Sequence, residues 1–176
     1  MDYGYLDHIY TNNLPQTREI LKQFQDLIKS YAAIDGYDRL NMVEFYTNGE
    51  GSVPYYNCSD FPFNFNFIVD LTVLTLLDNL TGDHVHSVVS NWLDRIPEGK
   101  TPNWILGNHD YWRVGSRFGE ANIDGFNMVS LLLPGVAVTY NGEEIGMVNT
   151  EVSWEDTVDP AGLNCGEEHF NVGILV

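Results

Sequence analysis

Four consecutive residues, Gly-Asn-His-Asp at positions 107–110, have the clearest potential for chemistry in this chain. They offer the amide of Asn108, the imidazole of His109 and the carboxylate of Asp110 directly after a short apolar segment at 103–106. Such a set can bind hydroxyl groups and transfer protons. Capping of a helix N-terminus by Asn or Asp is the alternative, because both side chains accept hydrogen bonds from unpaired backbone amides.

Glu44 is the second candidate, because it is the acidic residue of an otherwise apolar run at 40–46. We expect this run to be a buried strand, and burial of a carboxyl group raises its pKa, as a general acid requires. A hydrogen-bonded structural glutamate is the alternative. Together, Glu44 and Asp110 suggest paired-carboxylate chemistry such as the cleavage of a glycosidic bond.

Composition limits the class of substrate. The chain has 176 residues, with 8 Lys and Arg against 25 Asp and Glu, and a formal charge of −17. This balance argues against a nucleic-acid partner and fits a neutral sugar substrate. No phosphate-binding glycine loop, CxxC pair or HExxH motif is present in the sequence, so we expect neither a cofactor nor a metal.

Helical and strand-like patterns alternate along the chain. Helices are predicted from Pro15 to Gly36 and at 69–77, 83–96 and 123–133, and strands at 40–46, 61–67, 103–106 and 136–140. This order is typical of βα units and a parallel sheet. Because the carboxyl ends of parallel strands share one edge, Glu44, Asp110, Glu143 and Glu144 should lie on one face.

Several ordered motifs resemble those of glycoside hydrolase family 13, the α-amylase family, and in particular its insect maltase-type α-glucosidases. The run NWILGNHDYWRVGSRFG at 103–119 is similar to the strand-seven motif, and LLLPGVAVTYNGEEIGM at 131–147 to the strand-eight segment. NMVEFYTN at 41–48 resembles the strand-five motif, and PFNFNF at 62–67 the strand-six segment. The similarity extends over about residues 2–170.

The resemblance implies a role for each matching position. Glu44 would be the general acid/base that protonates the leaving glycosidic oxygen. Asp110 would bind sugar hydroxyls and stabilise the oxocarbenium-like transition state, and His109 would donate a hydrogen bond to the sugar at the cleavage site. The other implied substrate-binding residues are Asn108, Arg113 and Phe65. The substrate would be maltose, a malto-oligosaccharide or another α-glucoside.

The resemblance also implies a fold, a partial (β/α)8 TIM barrel with strands five to eight. Residues 1–170 would form the C-terminal half of the catalytic barrel, and residues 171–176 a divergent tail. The family's nucleophile follows strand four, upstream of the first matching segment, so we expect an incomplete fragment that lacks it. Half a barrel leaves open strand edges, through which the chain could associate with itself.

Two alternatives to an active glucosidase are open: a non-catalytic relative, such as a transporter heavy chain or a surface receptor, and an inactive truncated product. The sequence shows neither a signal peptide nor a membrane-spanning segment, although the parent enzyme is expected to be secreted. Glycosylation at Asn57 and Asn79 and pairing of Cys58 with Cys165 are undecided.

Overall fold

Helices and strands alternate along most of the chain, as the sequence pattern predicts. The computed structural model describes residues 7–11, 14–45, 51, 53–64, 70–71, 74–76, 79–165 and 173–175. Its α-helices, α1 to α5, are Pro15–Asp35, Gly82–Leu93, Val114–Phe118, Ile123–Leu132 and Pro160–Cys165. Its strands, β1 to β6, are Met42–Phe45, Phe61–Asn64, Asn103–Ile105, Val136–Val138, Thr150–Val152 and Gly173–Leu175. Short 3-10 helices are Val53–Asn57, Leu74–Leu76, Glu120–Asn122 and Glu143–Ile145.

The described strands pair two by two. β1 pairs with β2 and β3 pairs with β4, both in parallel, which confirms the predicted α/β class. The Asn103 side chain joins the two pairs, because its Nδ2 donates a hydrogen bond to the Pro62 carbonyl at 2.6 Å. β5 and β6 form an antiparallel pair that was not predicted, since strands of three residues are too short to show a period in the sequence.

Several predicted elements are shorter in the structure. The helix predicted at 83–96 ends at Leu93, three residues before Ile96, and the strand predicted at 136–140 ends at Val138. Within the helix predicted at 69–77, the described residues form a single 3-10 turn, Leu74–Leu76, beside residues 70–71. The predicted end of the strand at 65–67 lies outside the described residues.

The larger apolar core surrounds β3. Trp104 and Leu106 are fully buried there, and they pack with residues of α2 and α4 such as Trp92 and Phe126. A second, smaller core lies under β1 and consists of Val43, Phe45, Tyr55 and Cys58. Cys58 is a free thiol, and burial raises its pKa. The two cores fix β1 and β3, the strands that carry the candidate carboxylates.

α1 confirms the predicted helix, and its apolar face is only partly covered. Pro15 opens the helix and Gly36 ends it, as predicted. Phe24, Leu27 and Tyr31, which mark the apolar face, are about half exposed. Gln25 is buried instead, and its Nε2 donates to the Asp60 carboxylate at 3.3 Å. Among the described helices, none is both long and apolar enough to cross a membrane.

Gly36→Ala is expected to destabilise the fold by about 1 kcal/mol. Gly36 has a φ of 75°, which an L-residue adopts only with strain, and its N–H donates to the Ala32 carbonyl at 2.8 Å. Gly125→Ala in α4 is the control. Apart from its chain neighbours and its own helix backbone, no atom of the described residues lies within 4 Å of the added Cβ, so the substitution should stabilise the helix slightly. Urea unfolding tests both, and equal destabilisation would contradict the argument.

Candidate functional site

Glu44 lies on the exposed face of β1, so the expectation that it is buried is wrong. The strand alternates, with Val43 and Phe45 buried and Met42 and Glu44 exposed. The reason is that β1 packs on its core with the face of Val43 and Phe45, whereas the side chains of the other face remain exposed. In the register of the pair, Glu44 lies opposite Phe63 of β2. Its carboxyl group is therefore accessible at the end of a parallel strand.

The 107–110 segment forms a turn that presents two side chains to solvent. Asn108 is buried, and its Oδ1 accepts a hydrogen bond from the Asp110 N–H at 3.0 Å. The side chains of His109 and Asp110 are 71% and 51% exposed, with 3.6 Å between Nε2 and Oδ1. Helix capping is not their role, because α3 begins at Val114 and its N-cap residue is Arg113. The turn thus leaves an imidazole and a carboxylate accessible side by side.

Arg113 is buried and reaches the segment that follows β4. Its Nη1 donates to the Asn141 carbonyl at 2.7 Å, and its backbone N–H donates to Asn149 Oδ1 at 2.8 Å. The guanidinium lies over the Tyr140 ring, 5.1 Å from the centroid. Arg113 therefore ties the start of α3 to the region after β4. Phe65, the remaining predicted site residue, lies outside the described residues.

Two charged residues beneath the turn, Glu143 and Arg117, are not among the site residues predicted from the sequence. Glu143 is 3% exposed, and its Oε2 accepts the Tyr140 N–H at 2.9 Å. Burial raises its pKa to about 7, although the Tyr140 N–H, Arg117 and Arg113 oppose the shift. Arg117 donates to the Leu106 carbonyl. Burial lowers the pKa of Arg117 to about 10, against the attraction of Glu143.

The acidic pair at 143 and 144 was predicted to lie on the same face as Asp110, and the structure separates its two members. Glu144 is exposed, and its Oε2 accepts the Gly142 N–H at 2.8 Å. Glu143 points inward, so that Oε1 would lie 3.1 Å from a Cβ at Gly107. Two adjacent acids in a turn give no sequence signal of which one is buried. Gly107 is the one hint in the sequence that a side chain is buried there, because a glycine allows another side chain to approach its backbone closely.

A cavity of about 380 Å³ opens beside Asp110. Its lining residues are Thr75, Asp110, Tyr111, Trp112, Ser116 and Arg117. This volume is within the range of small-ligand sites, and the lining combines aromatic rings with charges. A second cavity of about 420 Å³ is apolar, and it lies between α2 and α4, away from both carboxylates. In the described part of the chain, no three His, Cys, Asp or Glu side chains gather as a metal site requires.

Parallel βα units with accessible carboxylates at the strand ends define an α/β protein with a candidate site at the carboxyl edge of its strands. The family comparison is more specific. The family model "Alpha amylase, catalytic domain" matches residues 2–171. The chain therefore belongs to the alpha-amylase catalytic-domain family, whose fold is a (β/α)8 barrel, and the predicted family resemblance is confirmed.

Known relatives share this similarity over most of the chain. Maltase A1 of Drosophila melanogaster is 42% identical over 96% of this chain and 30% of its own length. Salivary alpha-glucosidase of Anopheles gambiae is 39% identical over 92% of the chain and 27% of its own length. The human amino acid transporter heavy chain SLC3A1 is 35% identical over 84% of this chain and 21% of its own length. The chain thus spans less than a third of each relative.

Proposed function

We propose that this chain forms the acid/base and sugar-binding part of the active site of a maltase-type α-glucosidase. The reaction is the hydrolysis of terminal α-linked glucose from maltose and oligosaccharides, with retention of configuration. The observation that supports this best is the placement of two accessible carboxylates, Glu44 on β1 and Asp110 after β3, in parallel βα units of an alpha-amylase family chain. The relatives named maltase and alpha-glucosidase favour the same substrate class.

The proposal assigns residues 1–170 to the C-terminal half of the catalytic barrel. In that assignment β1 to β4 are barrel strands five to eight, and residues 171–176 form a divergent tail. The strand order supports it, because β1 and β2 pair in parallel, β3 and β4 pair in parallel, and Asn103 connects β3 to β2. The antiparallel pair of β5 and β6 lies after the fourth of these strands, and β6 belongs to the proposed tail.

Glu44 is the general acid/base of the proposed mechanism. It donates its proton to the glycosidic oxygen while the bond from C1 to that oxygen breaks and a carboxylate nucleophile attacks C1. Glu44, now ionised, removes a proton from the water that hydrolyses the glycosyl-enzyme. The proposal places the nucleophile after barrel strand four, in a segment that precedes these residues in the family. The exposed position of Glu44 on β1 supports access to substrate.

Asp110 and His109 bind the sugar in this proposal. The Asp110 carboxylate accepts hydrogen bonds from sugar hydroxyls and stabilises positive charge at the anomeric carbon. Asn108 and Arg113 are both buried, and their contacts support a role in holding the walls of the site. Asn108 fixes the backbone of Asp110, and Arg113 binds the Asn141 carbonyl. Phe65 is proposed to face the sugar from strand six.

Secretion of the parent enzyme is part of the proposal, and the salivary relative supports it. Self-association through open strand edges stays a prediction. No contact between described residues supports it. A non-catalytic binding role is the second candidate function, favoured by the similarity to the amino acid transporter heavy chain SLC3A1. Against it stands the presence of Glu44, His109 and Asp110 together in one chain.

Hydrolysis of p-nitrophenyl α-glucoside by the purified chain tests the proposal, with the β-glucoside as the matched control. Because the nucleophile is proposed to lie in a preceding segment, we expect the chain alone to bind maltose without cleaving it. The chain joined to that segment should cleave the α-anomer alone, and NMR should detect α-glucose as the first product of maltose. Saturable maltose binding without hydrolysis would favour a site that needs its nucleophile from another segment, or the binding role. A chain that neither binds maltose nor cleaves either glucoside contradicts the proposal.

A further inference from the structure

We propose that Glu143 is a positioning residue for the sugar-binding turn. Its buried carboxyl group lies between the end of β3 and the end of β4, and it fixes the backbone from which His109 and Asp110 project. This inference rests on the proposed function, since it gives Glu143 a purpose only if that turn binds sugar. Glu143 itself does not touch the substrate.

Glu143 lies between the ends of β4 and β3 and also contacts α4. Its Oε2 accepts the N–H of Tyr140, which follows β4, at 2.9 Å. Its backbone carbonyl accepts a hydrogen bond from Asn127 Nδ2 of α4 at 3.2 Å. Its Oε1 faces Gly107, close enough that a Cβ there would lie 3.1 Å away. The carboxyl group therefore occupies the space beneath the first residue of the turn.

Arg117 acts on the same backbone from α3. Its guanidinium donates to the carbonyl of Leu106, the residue before Gly107, and its positive charge attracts Glu143. The position of Gly107 determines that of Asn108, whose Oδ1 holds the Asp110 N–H at 3.0 Å. A chain of direct contacts thus connects the buried carboxyl group with the exposed carboxylate.

Above about pH 7 the buried carboxyl group of Glu143 does not contribute to stability, so its burial has another explanation there. Glu143 Oε1 accepts no hydrogen bond from any described residue, and ionisation of such a group is costly. Arg117 and Arg113 face Glu143 and lower its pKa, Glu144 raises it, and burial raises it most, to about 7 from 4.5. Compared with the unfolded chain, the folded state therefore favours the protonated form of Glu143. The stability from this group is complete below about pH 4.5 and is lost as the pH rises through about 7.

The test compares Glu143→Gln with Glu144→Gln, its exposed neighbour, in the 176-residue chain. The readouts are hydrogen exchange of the Asp110 amide, maltose affinity between pH 6 and 8, and the urea midpoint. At pH 8 we expect Glu143→Gln to speed Asp110 exchange and weaken maltose binding, each by about tenfold, without lowering the urea midpoint. We expect the wild-type affinity to rise with pH through 7. This rise should disappear in Glu143→Gln and persist in Glu144→Gln.

Unchanged Asp110 exchange and maltose affinity in Glu143→Gln would overturn the inference, as would losses that only follow a fall in stability. Gly107→Ala is the second variant, because it keeps the carboxyl group but places a methyl against Oε1. It should speed Asp110 exchange and weaken maltose binding by a similar factor, whereas Gly125→Ala should change neither. If wild type binds no maltose, the proposed function fails, and Asp110 exchange still decides whether Glu143 orders the turn.

Discussion

Glu44→Gln and Asp110→Asn are each expected to lower maltose hydrolysis by about a thousandfold. Glu44→Gln removes the proton that the leaving glucose needs, and Asp110→Asn removes the charge that stabilises the anomeric centre. The measurement is kcat/KM in whichever form of the protein is active, this chain alone or joined to the segment that carries the nucleophile. Asp124→Asn, an exposed acid on α4, is the control and should retain full activity.

The two variants should differ in their dependence on the leaving group. A glucoside with an acidic phenol departs without protonation, so Glu44→Gln should retain much more activity on it than on maltose. Asp110→Asn should lose activity on both substrates alike, since it acts on the sugar ring. Equal losses on both substrates in Glu44→Gln would show that Glu44 is not the general acid.

Trp104→Ala is expected to destabilise the fold by about 3–5 kcal/mol. Trp104 is fully buried in the larger core, and its Nε1 donates to the Pro134 carbonyl at 2.9 Å. Truncation leaves both a cavity and a carbonyl without its donor. A loss of this size is a large share of the stability of a typical domain, so urea unfolding monitored by circular dichroism should show an early transition.

Two further variants separate the causes of that loss. Trp104→Phe keeps an aromatic ring in the core but removes the hydrogen bond, so it should cost about 1–3 kcal/mol. Trp112→Ala changes a tryptophan that is 53% exposed and should leave the urea midpoint nearly unchanged. Equal stability of Trp104→Ala and Trp112→Ala would mean that the core around β3 is not essential for folding.

The sequence predicted the helices best where residues with special backbone preferences mark their ends. Pro15 and Gly36 set the limits of α1, and α4 ends one residue before the predicted Leu133. Their burial was less predictable, because a period shows which residues share a face but not whether another element covers that face. The half-exposed Phe24 of α1 is an example.

The candidate site was predictable in its residues but not in its environment. The 107–110 run stands out by composition, and its position after β3 is as expected. Glu44 was expected to be buried, yet a short run of mixed residues cannot distinguish a strand covered on both faces from one covered on a single face. The inward direction of Glu143 depends on contacts with Arg117 and Gly107, which are distant in the sequence and appear only in three dimensions.

The β3–α4–β4 unit has a consequence for how this protein folds. The two strands pair across a connection that holds α3, a 3-10 helix and α4. Trp104 packs in one core with Phe126 of α4, and its carbonyl accepts a hydrogen bond from Ser130 Oγ. The paired residues of β3 and β4, such as Asn103 and Val136, are distant in the sequence, and such non-local parallel pairing forms slowly because loop closure costs entropy before the contacts form. The turn that carries His109 and Asp110 lies inside this unit, so the edge proposed to bind sugar should take shape only when β3 and β4 pair.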